Sequence, residues 1–224
     1  MKKTLAFILA VALLCIMAVG TTLTYFTDTD FDKNTMTVGK VEIIQNETDR
    51  TGAALDADSL KLYPATAGVA TDGLVPAANN GVDKFGTVKL DDNSENAYVR
   101  TVFAFEMMKV DGGWKSPIAD KVILVDNGIQ MTNIEIEKNG VHYIVGVCTY
   151  DGVLTKGDTT APSLKQVYLA SNVGNEFSTA VDGSYEILAV SQAVQSTGFA
   201  NAADAFAAAF PYGENNANVA NWFN

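Results

Sequence analysis

The stretch MTNIEIEKNGVHYIVGVCTY, residues 131–150, leaves this chain the least conformational choice. Ile134 and Ile136 alternate with acids, so their side chains share one face only if the backbone is extended, where the period is two. Asn139-Gly140 supplies the positive φ angles of a primed turn, and HYIVGVCTY returns as the second arm of a hairpin. Other short runs of Thr, Val, Ile, Tyr and Phe recur between Gly, Asn and Asp clusters. Val88 and Leu90 belong to one, DDNSEN turns, and Ala97 to Glu106 form the next, where Tyr98, Val102 and Phe103 predict cover on both faces. VYLASN and SYEILAVSQAVQ add later strands. In the latter Tyr185, Ile187, Ala189 and Ser191 alternate against Glu186, Leu188, Val190 and Gln192, which favours a strand over the helix its alanines would suit. No repeat and no second domain is visible. The expectation is an all-β, antiparallel sandwich.

Asn201 is placed to cap a helix, Asp204 suits its first turn, and the alanine-rich NAADAFAAAF runs to Pro211, which stops it. This short C-terminal helix is expected to close one end of the sandwich. The tail GENNANVANWFN is expected to be partly disordered, with Trp222 and Phe223 tucked against the body. Residues 47–83, rich in Ala, Gly and Asp with Pro64 and Pro76, read as a long loop with short helical pieces. TYDGVLTKGDTTAPSLKQ, residues 149–166, reads as a second loop.

The chain begins with Lys2 and Lys3 followed by an unbroken apolar run from Leu5 to Val19, the anatomy of a signal peptide and short for a membrane-spanning helix. Cys15 is no lipid-attachment site, because Leu14 stands where a small residue is needed. The expected division is a signal peptide over 1–24 and one domain over 25–224. Without the two leader lysines, 13 of the 15 basic residues face 26 acidic ones, taking the net charge from −11 to −13. Such a surface repels phosphate backbones, so nucleic acid is not an expected partner. With Cys15 gone, Cys148 stands alone and no intrachain disulfide forms.

A leader running into TYFTDTDFDKNTMTVGKVEI, then DKFGTVKLDDNSENAYVRTVFAFE and the ending GSYEILAVSQAVQSTGFANAADAFAAAF, resembles the TasA and camelysin family of secreted bacterial proteins. The resemblance spans most of the chain and is weakest over 46–80. It implies a jelly-roll β-sandwich, exported and released by a SipW-type signal peptidase, with cleavage near Thr24, Tyr25 and Phe26. It further implies a homopolymer: an extracellular, biofilm-matrix fibre in which the N-terminal strand of one subunit completes the sheet of its neighbour, with an accessory matrix or anchoring protein as a possible further partner. Two alternatives follow from the same resemblance, a camelysin-like cell-surface metallopeptidase and a surface adhesin or anchoring subunit that does not polymerise.

The residues bear on these readings separately. A zinc peptidase commonly uses two histidines and a glutamate base on one helical face. This chain has one histidine, His142, and no HExxH, so neither a catalytic residue nor a metal or other cofactor is expected. Cys148 reads as a core thiol, too far along its strand from His142 for a dyad. Asp28, Asp30 and Asp32 open like a calcium loop, but Lys33 stands where the glycine belongs and Gly39 where the bidentate glutamate belongs, so they read as solvated acids. No GxSxG, Walker loop or dinucleotide fingerprint occurs.

A donated strand needs unbroken hydrogen-bonding capacity and an apolar face. Between Phe26 and Ile44 there is no proline, and Phe26, Phe31, Met36, Val38, Val41 and Ile43 supply apolar side chains. Met36 and Val38 share a face with Val41 and Ile43 only if a bulge falls at Gly39-Lys40, which glycine permits. Burying those four contributes ~6–10 kcal/mol, comparable to an ordering cost of ~1–2 kcal/mol per residue for the backbone. Residues 25–44 are therefore the expected assembly region. Two divisions of it stay open, all of it donated, or 36–44 kept as an intrachain strand and 25–34 donated. The expected acceptor edges are Tyr98–Glu106 or Tyr185–Gln195.

Overall fold

Every one of the ten residues of β5 (Ala97–Glu106) is buried, because the strand is apolar on both faces and both faces are covered. The computed structural model describes residues 27–30 (backbone alone), 40–55 and 60–224. Around β5 lies an antiparallel sheet. β12 (Ile187–Gln195) pairs with one side of it and β10 (Val141–Thr149) with the other. β9 (Gln130–Lys138) continues beyond β10 and β1 (Thr27–Asp30) beyond β12, giving the order β1-β12-β5-β10-β9. The β9–β10 hairpin turns on Asn139 (φ 54°) and Gly140 (φ 83°), the primed geometry expected from the sequence.

A second layer covers one face. In it β2 (Ile43–Thr48) pairs with β4 (Phe85–Leu90), while β3 (Val82–Asp83) and β8 (Val122–Asp126) flank β11 (Leu164–Leu169). The two pieces are stitched together where the Ser163 amide donates to Gly86 O (2.8 Å), the Thr160 amide to Val88 O (2.9 Å) and the Lys84 amide to Lys165 O (2.9 Å). Much of the 149–166 loop is thus held as an edge along β4, with a further bridge from Leu154 to Ala97. Side-chain alternation then sorts the core. Phe103 and Phe105 of β5 meet Leu164 and Val167 of β11 and Val122 of β8, roofed by Phe177 of α1 (Asn175–Ala180). Val99 and Ala193 meet Ile43, Val88 and Leu90.

The opposite face of the sheet is covered as well. Val102, Ala104, Tyr143 and Val190 lie against Val219 and Phe223 of a C-terminal 3-10 turn (Val219–Phe223), and Tyr98 and Val194 against Phe206 and Phe210. Phe206 belongs to α2 (Ala202–Ala209), whose cap is the expected one, Asn201 accepting the Asp204 amide at 2.9 Å. Two expectations are corrected here. The helix lies across the sheet face, not at an end of the sandwich, and the tail is folded rather than partly disordered, with Val219 fully buried and Phe223 tucked in as expected. The cause is the same in both cases: β5 and β12 are apolar on both faces, and leaving the second face bare would expose a continuous apolar surface.

The hairpin of β6 (Met108–Val110) and β7 (Gly113–Lys115), together with β8 and α1, went unread in the sequence, being short and weakly patterned. The 47–83 loop carries the expected helical piece at Ala77–Asn79 and is pinned to the sandwich. Arg50 clasps both carboxylate oxygens of Asp83 (2.6 and 2.7 Å) and donates to Val75 O (2.9 Å). Gln166, fully buried, exchanges two hydrogen bonds with the Val75 backbone, each 2.7 Å. The whole is a mostly β, antiparallel fold of packed sheets with a short C-terminal helix.

Candidate functional site

The five-stranded sheet ends in β9 on one side and in β1, laid along β12, on the other, and β9 and β12 differ in chemistry. β9 carries Glu135, Glu137 and Lys138, and its register with β10 shifts between Ile144 and Gly146. Charges and a bulge are the usual guards of an edge strand against pairing with another chain. β12 reads ILAVSQAVQ and has no charge at all. Unguarded, its outer edge would offer free amides and carbonyls beside an apolar face. What lies on it is β1, in the register Thr27↔Val194, Asp28↔Ala193, Thr29↔Gln192 and Asp30↔Ser191. Among the described residues no strand pairs with the remaining Ile187–Val190 stretch on that side.

The paired stretch of β12 is fixed from beneath. Ser191 donates to Gln45 Oε1 on β2 (2.6 Å), and its hydroxyl lies 3.1 Å from that of Thr101 on β5. This small polar bridge between the layers sets the height of β12 without depending on β1. The strand that β1 lies on is therefore anchored by its own side-chain bridge, and residues 31–39 join β1 to the rest of the chain.

Of the assembly residues read from the sequence, Val41 and Ile43 lie in the core of their own chain, 6% and 4% exposed, packed with Val88, Leu90 and Ala193. Phe26, Phe31, Met36 and Val38 fall outside the described residues, as do Gly39, the cleavage region Thr24 to Phe26 and the leader. The two expected acceptor edges separate cleanly. Tyr98–Glu106 is the sheet's centre, with both sides occupied, and has no edge to offer. Tyr185–Gln195 corresponds to the neutral strand β12, whose outer side is occupied by β1 over Ser191–Val194 and bare of a partner strand, among the described residues, over Ile187–Val190.

The residues weighed for chemistry are dispersed. His142 stacks on Trp114 (ring centres 4.2 Å apart) with Nε2 3.5 Å from Glu137. Cys148 is 2% exposed and lies 3.6 Å from Asn127 O. Burial first, then the Asp126 carboxylate, pushes its pKa up to about 11, so at neutral pH it is a thiol and a poor nucleophile. Among the described residues no group of three or more His, Cys, Asp and Glu could hold a metal, and no helix is long and apolar enough to cross a membrane. Sequence reasoning passed over Arg100 and Gln192, a cross-strand pair sealed beneath α2. The signal was present, a lone arginine inside the apolar run AYVRTVFAF. No family model, curated protein or solved structure matches this chain.

Proposed function

We propose that this chain is a secreted structural subunit, its two-sheet body of the jelly-roll kind, that polymerises at the cell surface or in the extracellular matrix by handing β1 to the β12 edge of the next copy. The observation that carries the reading is the asymmetry of the edges: β9 is guarded by charge, β12 is neutral, and a short strand at the N-terminal end covers it. The contacts of β1 with β12 are the same whether the two belong to one chain or two, so little free energy separates the forms and the connecting segment decides. Donation from copy to copy is heterologous and propagates as a filament. A leader still attached tethers β1 at the membrane, so removal by a SipW-type signal peptidase is the natural trigger. Because Val41 and Ile43 belong to their own core, the donated portion ends before them, in keeping with a 25–34 donor.

Electron microscopy of the mature chain beside one beginning at Lys40 tests this. Filaments from the first alone are expected. Filaments from both would exclude donation, and filaments from neither would favour the adhesin or anchoring reading. An Asp28→Cys/Ala193→Cys pair adds a chemical readout, since facing antiparallel residues lie within disulfide reach. Oxidised assemblies are expected to run as a covalent ladder on a non-reducing gel, whereas a lone intrachain crosslink would show β1 staying at home.

A further inference from the structure

Arg100 presents an arrangement that neither the fold nor fibre assembly requires. It is only 5% exposed and, among the described residues, forms no salt bridge. Its Nε donates to Gln192 Oε1 (2.7 Å), and the guanidinium carbon sits 4.4 Å from the ring centre of Phe206 and 5.2 Å from that of Trp222. The rings offset part of the cost of burying the charge. They leave two donors unanswered, Arg100 Nη2 and Gln192 Nε2, on side chains that face each other across β5 and β12. Burial pushes the Arg100 pKa down, Tyr212 acting in the opposite direction, and the group stays a cation. A buried cation with no anion and an idle donor costs stability that a methionine there would not.

Beside it opens a pocket of about 570 Å3, with Arg100 in its lining, Val147 on β10, Ala203 and Ala207 on α2, and Phe206 and Tyr212. Ala203 and Ala207 stand one turn apart, and their small side chains leave the mouth open. The walls are largely apolar and the one charge in them is positive. A single guanidinium between aromatic rings suits a monoanion with a flat, two-oxygen head better than a phosphate dianion, which needs more charge and more donors.

We propose that this pocket binds a small carboxylate with an apolar body, the carboxylate accepting from Arg100 Nη2 and the body lying against Phe206 and the alanines of α2. Nη2 is covered, so binding moves one of the rings above it. Tyr212, half-buried on the irregular segment after α2, is the ring that moves, giving up its hydrogen bond to Arg100 to the incoming carboxylate. The site stands on the body of the subunit, with β1 touching it only through the pairing of Thr29 with Gln192.

The test follows the Trp222 indole signal by NMR as the full chain is titrated with hexanoate, hexanamide and acetate, and with a leucine-terminated tripeptide as acid and as amide. Hexanoate is expected to bind in the millimolar range or tighter, with hexanamide at least about tenfold weaker, as for loss of a charge-assisted hydrogen bond. Acetate, lacking the body, is expected to be weaker as well. A tripeptide acid that outbinds hexanoate would assign the carboxylate to a peptide terminus, and the reverse to a free acid. Arg100→Met is expected to abolish the preference for acid over amide. Ala207→Leu, on the exposed side of α2, is expected to weaken hexanoate about tenfold by narrowing the mouth while the chain stays folded. Equal binding of hexanoate and hexanamide, no shift with either acid, or an unaltered affinity in Ala207→Leu would overturn the proposal.

Discussion

Gly146 is held by distant neighbours. A Cβ there would come within 2.9 Å of Ile129 Cγ2, 3.0 Å of Phe105 Cε2 and 3.1 Å of Met131 Sδ. Gly146→Ala is expected to cost about 1–3 kcal/mol in a urea titration, as overpacking does. The turn at Asn139-Gly140 could be read from two letters because its cause is local. The demand at Gly146 could not, because it arises from three strands or loops brought together by the fold. Titration separates two other residues by sign. Burial alone would raise the Asp83 carboxyl, but Arg50 and Gln166 hold it below the ordinary value. Its contribution is complete above about pH 4 and fades as pH falls below that. Asp83→Asn is therefore expected to flatten the acid limb of stability against pH. Burial raises Glu106 against the opposing hydrogen bond from the Glu186 amide, helped by the Glu186 and Asp182 carboxylates, so Glu106 detracts from stability as pH climbs above about 4. Glu106→Gln is expected to gain on the wild type over that interval, measured by denaturation at several pH values.

Among the elements, β5, β9, β10 and β12 were legible because alternation over nine or ten residues leaves few choices. β6, β7 and β8, of three to five residues, carry too little pattern to stand out from loops. The candidate site was half legible: Thr27–Asp30 lies within the proline-free segment picked from the sequence, but its place along β12 depended on how many neighbours each strand has. On the proposed reading, β1 and β2 separate by role. Ile43→Ala is expected to lower subunit stability by about 2–5 kcal/mol, since its side chain fills its own core. Consecutive amides in a strand point to opposite sides, so Asp28→Pro/Thr29→Pro must remove one that faces β12. That pair is expected to leave thermal unfolding of the body nearly unchanged while abolishing filaments in electron micrographs. Equal damage to both measurements would place β1 in the body.

At the scale of the molecule, the class of fold was readable and its third layer was not. α2 and the Val219–Phe223 turn cover a face whose need for cover shows only once β5 and β12 are known to lie side by side. Charge acts at this scale as well. The chain carries a net charge of −11, and −13 if the leader lysines are removed as proposed, so copies repel one another over roughly a Debye length, about 10 Å at 0.1 M salt. Raising ionic strength from 0.02 to 0.2 M (roughly tenfold) is expected to shorten the lag of assembly followed by light scattering. A lag indifferent to salt would mean that encounter between copies is not limiting. The unlike rims of the sheet carry one more consequence. A thread made by passing the first strand forward is an arrow: its head exposes a bare neutral rim, its tail a loose strand with nowhere to go. Growth at the two tips then proceeds at unequal speeds, and a cap that stops one tip leaves the other running.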